Sequence, residues 1–341
     1  MERGSFPRRR EYITLSAPSA SLLPLLKPRR LVPGQTIGVA APASPPNDPE
    51  VVRFGIEIVE SLGFKVKPAP HLFARSGYLA GDDSTRAQDL NGLFADEEVD
   101  GIFCLRGGYG AARLLPMLDY EAIRANPKVI LGYSDITSLL LAIYKRSGVV
   151  TFHGPIATQS YSPYTLVEIK KVLFQPEAPV LLGAPPPFDR GEGRVEKLNR
   201  ITPLFPGKAQ GRLLGGNLSL VTNLIGTPYL PDLAGAIVFL EDVSEPVYSI
   251  DRMLTQLWLS GNLRNAAGMV FGKFTEIPGS EYAHDRILEE VLAERARELR
   301  IPAVMGLMIG HVEDQTTLPL GGLAEFDAET GRLTLLETAV Q

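Results

Sequence analysis

Cysteine is almost missing from this chain: Cys104 is the only one among 341 residues. An intramolecular disulfide is therefore excluded, and so are the paired Cys-x-x-Cys elements of zinc and thiol-redox sites. Cys104 itself lies in the apolar run Gly101-Ile102-Phe103-Cys104-Leu105, where a thiol packs as a small hydrophobe. Histidine is scarce too, with His71, His153, His284 and His311 as the whole supply, so few side chains can titrate near neutrality. No uninterrupted apolar run reaches the roughly 18 residues that a membrane-spanning helix needs. Neither sign of charge dominates: 34 Lys and Arg stand against 39 Asp and Glu, a net charge of -5. The signs are interspersed, which leaves no basic stripe for a phosphate backbone and argues against nucleic acid as a partner.

What is present is an ordinary globular mixture, 45% hydrophobic and 21% charged, on a chain longer than one core usually organises. Two domains are expected. At the N-terminus, Arg8-Arg9-Arg10-Glu11-Tyr12-Ile13 followed by the mildly apolar Thr14 to Leu26 resembles a bacterial twin-arginine export signal. That stretch holds two prolines and no clean small-residue cleavage site, so export to the periplasm and a cytoplasmic extension both stay open. Residues 1–30 are set aside as this extension.

From Thr36 onward a regular alternation begins. Apolar runs at Thr36 to Ala41, Phe64 to Val66, Gly101 to Leu105, Lys128 to Tyr133 and Val149 to Phe152 alternate with helix-period segments. Those segments are Pro49 to Leu62, Ser84 to Phe94, a stretch from Ala111, and Ile136 to Lys145. Strands apolar on both faces, each followed by a helix, predict a parallel α/β sheet over residues 31–160. Ligands of such sheets bind beyond the carboxyl ends of the strands. Residues 161–205, broken by Gly183-Ala184-Pro185-Pro186-Pro187, read as a linker. Residues 206–341 read as a mixed second domain with strands at Ala236 to Leu240, Gly268 to Phe274 and Val304 to Ile309, and a terminal hairpin around Glu329-Thr330-Gly331.

Three places can carry chemistry. In Lys128 to Thr137 an apolar strand ends at Gly132-Tyr133-Ser134-Asp135 and a helix starts at once. Such a turn lifts a serine hydroxyl clear of the sheet beside unpaired helix N–H groups that can stabilise an oxyanion. The pattern meets the Gly-x-Ser-x-Gly signature only in part, and simple helix capping by Ser134 or Asp135 is the competing reading. In Arg106-Gly107-Gly108-Tyr109-Gly110 a glycine-rich loop follows another strand. It lacks the Gly-Lys-Ser/Thr ending of a P-loop and the spacing of a dinucleotide fingerprint, so a backbone oxyanion donor near Ser134 is the better functional reading and a packing turn the alternative. Downstream, His311 follows a strong strand, with His153 after Val149 to Phe152 as its rival. The strand Ala236 to Leu240 ends in Glu241-Asp242, whose side chains alternation sends to opposite faces. Metal chemistry has little to draw on: His311-Val312-Glu313 lacks the cysteine pair of zinc deaminases, and no His-Glu-x-x-His occurs. No metal and no cofactor is expected. A serine, a carboxylate and a histidine, each at a strand end, satisfy the logic of a catalytic triad; a non-catalytic two-domain binding protein, in which Ser134 merely caps its helix, is the alternative of another class.

These segments, in this order, resemble the LD-carboxypeptidase family of serine peptidases, which also includes microcin C immunity peptidases. The matching stretches are Ile37 to Ser44, Arg106 to Gly110, Gly132 to Thr137, Gly215-Gly216-Asn217-Leu218-Ser219, Ile225 to Pro228, Phe239 to Val243 and Gly310-His311. The resemblance implies a flavodoxin-like α/β N-terminal domain and a smaller β-rich C-terminal domain, commonly as a homodimer. It implies a Ser134, Glu241, His311 triad with an oxyanion hole from the backbone N–H groups of Gly108 and Asp135. The implied reaction is release of the terminal D-alanine from murein tetrapeptides in cytoplasmic cell-wall recycling, or, in the microcin branch, hydrolysis of an aminoacyl-nucleotide. Arg106 and Asn217 are candidates, by position, for the substrate's carboxylate.

Overall fold

The computed structural model describes residues 23–189, 191–279 and 286–341. The Arg8 to Ile13 pattern and His284 lie outside the described residues. The first sheet is assembled from β1 (Thr36–Ala40), β2 (Lys65–Pro68), β3 (Gly101–Cys104), β4 (Val129–Gly132) and β5 (Thr151–His153). Their order is β2-β1-β3-β4-β5, all parallel, which is the flavodoxin-like order. Helices α1 (Pro49–Ser61), α2 (Asp83–Ala95), α3 (Tyr120–Ala125) and α4 (Thr137–Ser147) connect them. Helix starts are written locally: Asp48 accepts from Glu50 N at 2.8 Å with Pro49 following, and Asp82 accepts from Thr85 N at 2.8 Å. Every residue of β3 and β4 is buried, the signature of strands covered on both faces. The segment after Gly110 departs from a plain α-helix: Pro116 sits inside a 3₁₀ stretch, Ala111–Met117.

The rest of the chain gives α5 (Pro163–Ile169), β6 (Val180–Leu182), β7 (Thr202–Phe205), β8 (Lys208–Asn217), α6 (Leu218–Asn223), β9 (Ile237–Val243) and α7 (Val247–Leu259). It continues with β10 (Gly268–Thr275), α8 (Leu288–Leu299), β11 (Ala303–Met305), β12 (Leu318–Leu320), β13 (Leu323–Asp327) and β14 (Arg332–Leu335). Among the described residues the second sheet runs β6-β14-β13-β8-β9-β10-β11-β7. Its middle, β8-β9-β10-β11, is parallel and its flanks are antiparallel. Strand β8 bridges the two regimes. Lys208 to Arg212 pair antiparallel with β13, and Leu213 to Asn217 pair parallel with β9.

Three segments do more than the sequence suggested. Both strands of the stretch expected as a linker, β6 and β7, form the two edges of the second sheet. Strand β12, from the far end of the chain, joins the first sheet antiparallel to β5, with Leu318 opposite His153. The chain ahead of residue 31 is tied in as well: Leu26 N donates to Gly148 O at 2.8 Å and Leu26 O accepts from Val150 N at 2.9 Å, while Gln341 N donates to Pro28 O at 2.9 Å.

Candidate active site

Ser134 sits where β4 passes into the turn that starts α4, with φ of 64°. A non-glycine residue in the left-handed region carries strain of about 1–3 kcal/mol, which persists only where the surroundings enforce it. They do so from the loop after β3. A Cβ on Gly107 would stand 2.8 Å from Ser134 Cβ, 3.0 Å from its Oγ and 3.3 Å from Asp135 N, so only glycine lets the loop approach this closely. The loop is itself fastened. Ser44 N donates to Gly107 O at 3.3 Å, Tyr109 N donates to Ser44 Oγ at 3.0 Å, and Ala111 N donates to Asp135 Oδ2 at 2.7 Å. Among the described residues, the amides of Gly108 and Asp135 donate no hydrogen bond, while those of Tyr109 and Ala111 do. Two N–H groups, one on the residue after Ser134 and one on the residue after Gly107, are thus without an acceptor among the described residues.

The carboxylate comes from the second sheet and the histidine from the loop between β11 and β12. Glu241, on β9, is fully buried, and its Oε2 lies 2.8 Å from His311 Nδ1. His311 keeps 19% of its side chain exposed. Alternation along β9 holds: Asp242 points the other way, accepting from Asn217 Nδ2 at 2.9 Å and from Ser219 N and Oγ at 2.9 and 2.8 Å. Burial raises the Asp242 carboxyl above its ordinary value, opposed by those hydrogen bonds. Gly310, at φ 107°, lets its chain pass over Glu241: a Cβ there would lie 2.5 Å from Oε2. The strand expected to run to Ile309 stops at Met305, and His311 sits on an irregular loop instead. That loop is pinned from several sides. Gln315 Nε2 donates to Gly310 O at 2.9 Å, Ser162 Oγ to Asp314 Oδ1 at 2.6 Å, and Thr165 Oγ1 to Glu313 O at 2.9 Å. Two of these residues belong to the stretch expected as a linker.

Tyr133 brings the halves together. Its ring centroid is 4.7 Å from that of His311 and 5.9 Å from that of His153. His153, the rival base, is fully buried beside Phe239, and among the described residues neither ring nitrogen has a hydrogen-bond partner. Burial pulls its pKa down to about 3, so it is neutral and out of reach of solvent. His71 is engaged elsewhere, with Nδ1 2.8 Å from Asp89. Asp135 is 3% exposed, and burial pushes its carboxyl up to about 6, opposed by the Ala111 N–H and by the charge of Arg86. Of the two carboxylate-binding candidates, Arg106 gives Nη1 to Pro45 O at 2.9 Å and stays half-buried. Asn217 is 2% exposed, with Nδ2 on Asp242 and Oδ1 capping α6 through Leu220 N at 3.3 Å. Sequence reasoning gave no role to Ser44, though it lies in a matching stretch, nor to Arg86, which no motif marks.

A flavodoxin-like sheet that carries a serine on a left-handed strand-to-helix turn, with a carboxylate–histidine pair whose imidazole packs on the neighbouring Tyr133, is the arrangement of a serine-type hydrolase. Comparison with known proteins narrows the class. Residues 37–154 match the LD-carboxypeptidase N-terminal domain and residues 210–326 the LD-carboxypeptidase C-terminal domain. The chain belongs to the LD-carboxypeptidase family and is a serine-type carboxypeptidase. It is similar to the "Probable murein peptide carboxypeptidase" of Bacillus subtilis, at 39% identity over 87% of this chain and 90% of that one. It is also similar to the microcin C7 self-immunity protein MccF of Escherichia coli, at 31% identity over 90% of this chain and 94% of that one. Among solved structures, the muramoyltetrapeptide carboxypeptidase from Oxalobacter formigenes superposes with a TM-score of 0.76 at 31% identity, over 89% of this chain and 99% of that one.

Proposed function

We propose that the protein hydrolyses the L,D-amide bond that holds the terminal D-alanine of murein tetrapeptides, with Ser134 as nucleophile, His311 as base and Glu241 as its orienting carboxylate. The observation that carries this reading is the convergence at Tyr133 and Gly107: the glycine loop packs on Ser134, and the His311 ring packs on the adjacent Tyr133. With Glu241 accepting from Nδ1–H, His311 keeps its lone pair on Nε2. Nε2 takes the Ser134 hydroxyl proton as Oγ attacks the amide carbonyl carbon. The N–H groups of Gly108 and Asp135 receive the oxyanion, and Glu241 balances the imidazolium. As the tetrahedral intermediate collapses, His311 gives its proton to the departing amine. Water, deprotonated by His311, then attacks the acyl ester and restores Ser134. Arg106, with a half-exposed guanidinium, is the cation proposed for the substrate's terminal carboxylate.

Similarity to MccF favours a second reading, hydrolysis of an aminoacyl-nucleotide. Incubating the pure protein with a murein tetrapeptide and, separately, with an aminoacyl sulfamoyl nucleotide separates the two. The expected result is D-alanine release from the first, lost in Ser134→Ala. Nucleotide cleavage without peptide turnover reverses the assignment, and hydrolysis that survives Ser134→Ala removes the nucleophile. A homodimer and a cytoplasmic location are carried forward from the family resemblance, to be checked by sedimentation and cell fractionation.

A further inference from the structure

We propose that Arg86 is a positioning residue for the reaction: acting with the Asp135 carboxylate, its guanidinium holds the loop 107–111 so that the Gly108 N–H stays aimed at the forming oxyanion. The inference rests on the reading that Gly108 and Asp135 supply the oxyanion donors. Arg86 lies on α2 and is 1% exposed, an unusual place for a guanidinium. Nη1 donates to Gly110 O at 3.0 Å, at the end of the glycine loop, and also to Pro42 O, just beyond β1. Nη2 donates to Asp83 Oδ1 at 2.5 Å, and Asp83 is held in turn by Arg113 Nε at 2.8 Å.

One residue further along the loop, Ala111 N donates to Asp135 Oδ2 at 2.7 Å. Adjacent loop residues are thus gripped by opposite charges, Gly110 at its carbonyl by a cation and Ala111 at its amide by an anion. The anion belongs to the residue that follows Ser134, so loop and nucleophile turn are locked in one register. Arg86 also compensates the buried Asp135 charge, lowering its carboxyl pKa against the rise that burial imposes. A lysine cannot reproduce a planar fork that serves Gly110, Pro42 and Asp83 together. A donor that drifts from the oxyanion weakens the transition state more than the ground state, so the effect falls on kcat rather than KM.

The test is Arg86→Lys, with murein tetrapeptide turnover, the rate of Ser134 labelling by a fluorophosphonate, and the melting temperature all recorded. Expected are a roughly 10- to 100-fold lower kcat, below the 10²–10³ typical of deleting a donor outright, a KM within about threefold, and a parallel fall in labelling. Asp135→Asn, which keeps an acceptor for Ala111 N–H, should lose less than Asp135→Ala. A folded Arg86→Lys enzyme with kcat and labelling within twofold of the parent overturns the proposal, whatever its melting temperature. If Arg86→Lys does not fold, the Asp135 pair decides: full activity in Asp135→Ala overturns it, and a graded loss supports it. Ser134→Ala keeps the two levels apart. If that variant still turns over peptide, the functional reading fails. If it is inert while Arg86→Lys is fully active, only the positioning role fails.

Discussion

Replacing Asp135 by asparagine should make the protein more stable at neutral pH and leave it unchanged in acid. The carboxyl is 3% exposed and its pKa is pushed up from an ordinary 3.8 to about 6, chiefly by burial. A raised folded-state pKa means that the native state binds the proton more tightly than the unfolded chain does. The associated stability is fully present below pH 3.8 and is lost as pH rises through about 6. The gap corresponds to about 3 kcal/mol, and near-complete burial leaves little solvent screening to discount it. Asparagine keeps an oxygen for Ala111 N–H and does not titrate. The difference in unfolding free energy between Asp135→Asn and the parent should therefore be near zero at pH 4 and rise to about 3 kcal/mol by pH 7. Denaturant unfolding of both proteins at pH 4, 5, 6, 7 and 8 measures it, because every other titrating group cancels in the difference. A flat difference across that range, or a variant that becomes relatively less stable as pH rises, refutes the reasoning.

Glu241→Gln should keep the fold but lower kcat on the order of 10³- to 10⁴-fold, since an amide can hold the imidazole yet cannot balance its charge; fluorophosphonate labelling reads this without a peptide substrate. Gly107→Ala should cut kcat at least about tenfold with a small change in KM, because its Cβ would intrude to 2.8 Å from Ser134 Cβ; unchanged kinetics would mean that the loop yields freely. His153→Phe should retain kcat within a fewfold in the same assay, as a buried neutral ring with no hydrogen-bond partner among the described residues has no group to exchange a proton with. A thousandfold loss there would return His153 to the list of bases.

The first sheet was legible because its strands are apolar on both faces and its helices start at Asp48-Pro49 and Asp82, signals that act over a few residues. The serine turn was legible for the same reason. Glu241 was readable from alternation as the partner of one face, but its meeting with His311 is a contact across 70 residues that no local pattern encodes. Strand β8 was hidden by polar residues at its start and glycines at its end. Strands β6 and β7 are short edge strands in a proline-rich stretch, where composition alone suggests a linker. Arg86 illustrates the limit best. In Ser84-Thr85-Arg86-Ala87-Gln88 it reads as a solvated arginine on a helix, and only the tertiary fold puts carbonyl groups around it.

Strand β12 makes the order of synthesis matter. The sheet that bears Ser134 gains its last strand, beside β5, only when residues 318–320 arrive, long after β5 itself has been made. Until then the β5 edge stands open, the kind of unpaired edge that invites wrong partners. His311 precedes that strand by a few residues on the same pinned segment. A chain stopped before His311 therefore lacks both the strand that seals the sheet and the histidine proposed as the base for Ser134, so such a copy is expected to be inert.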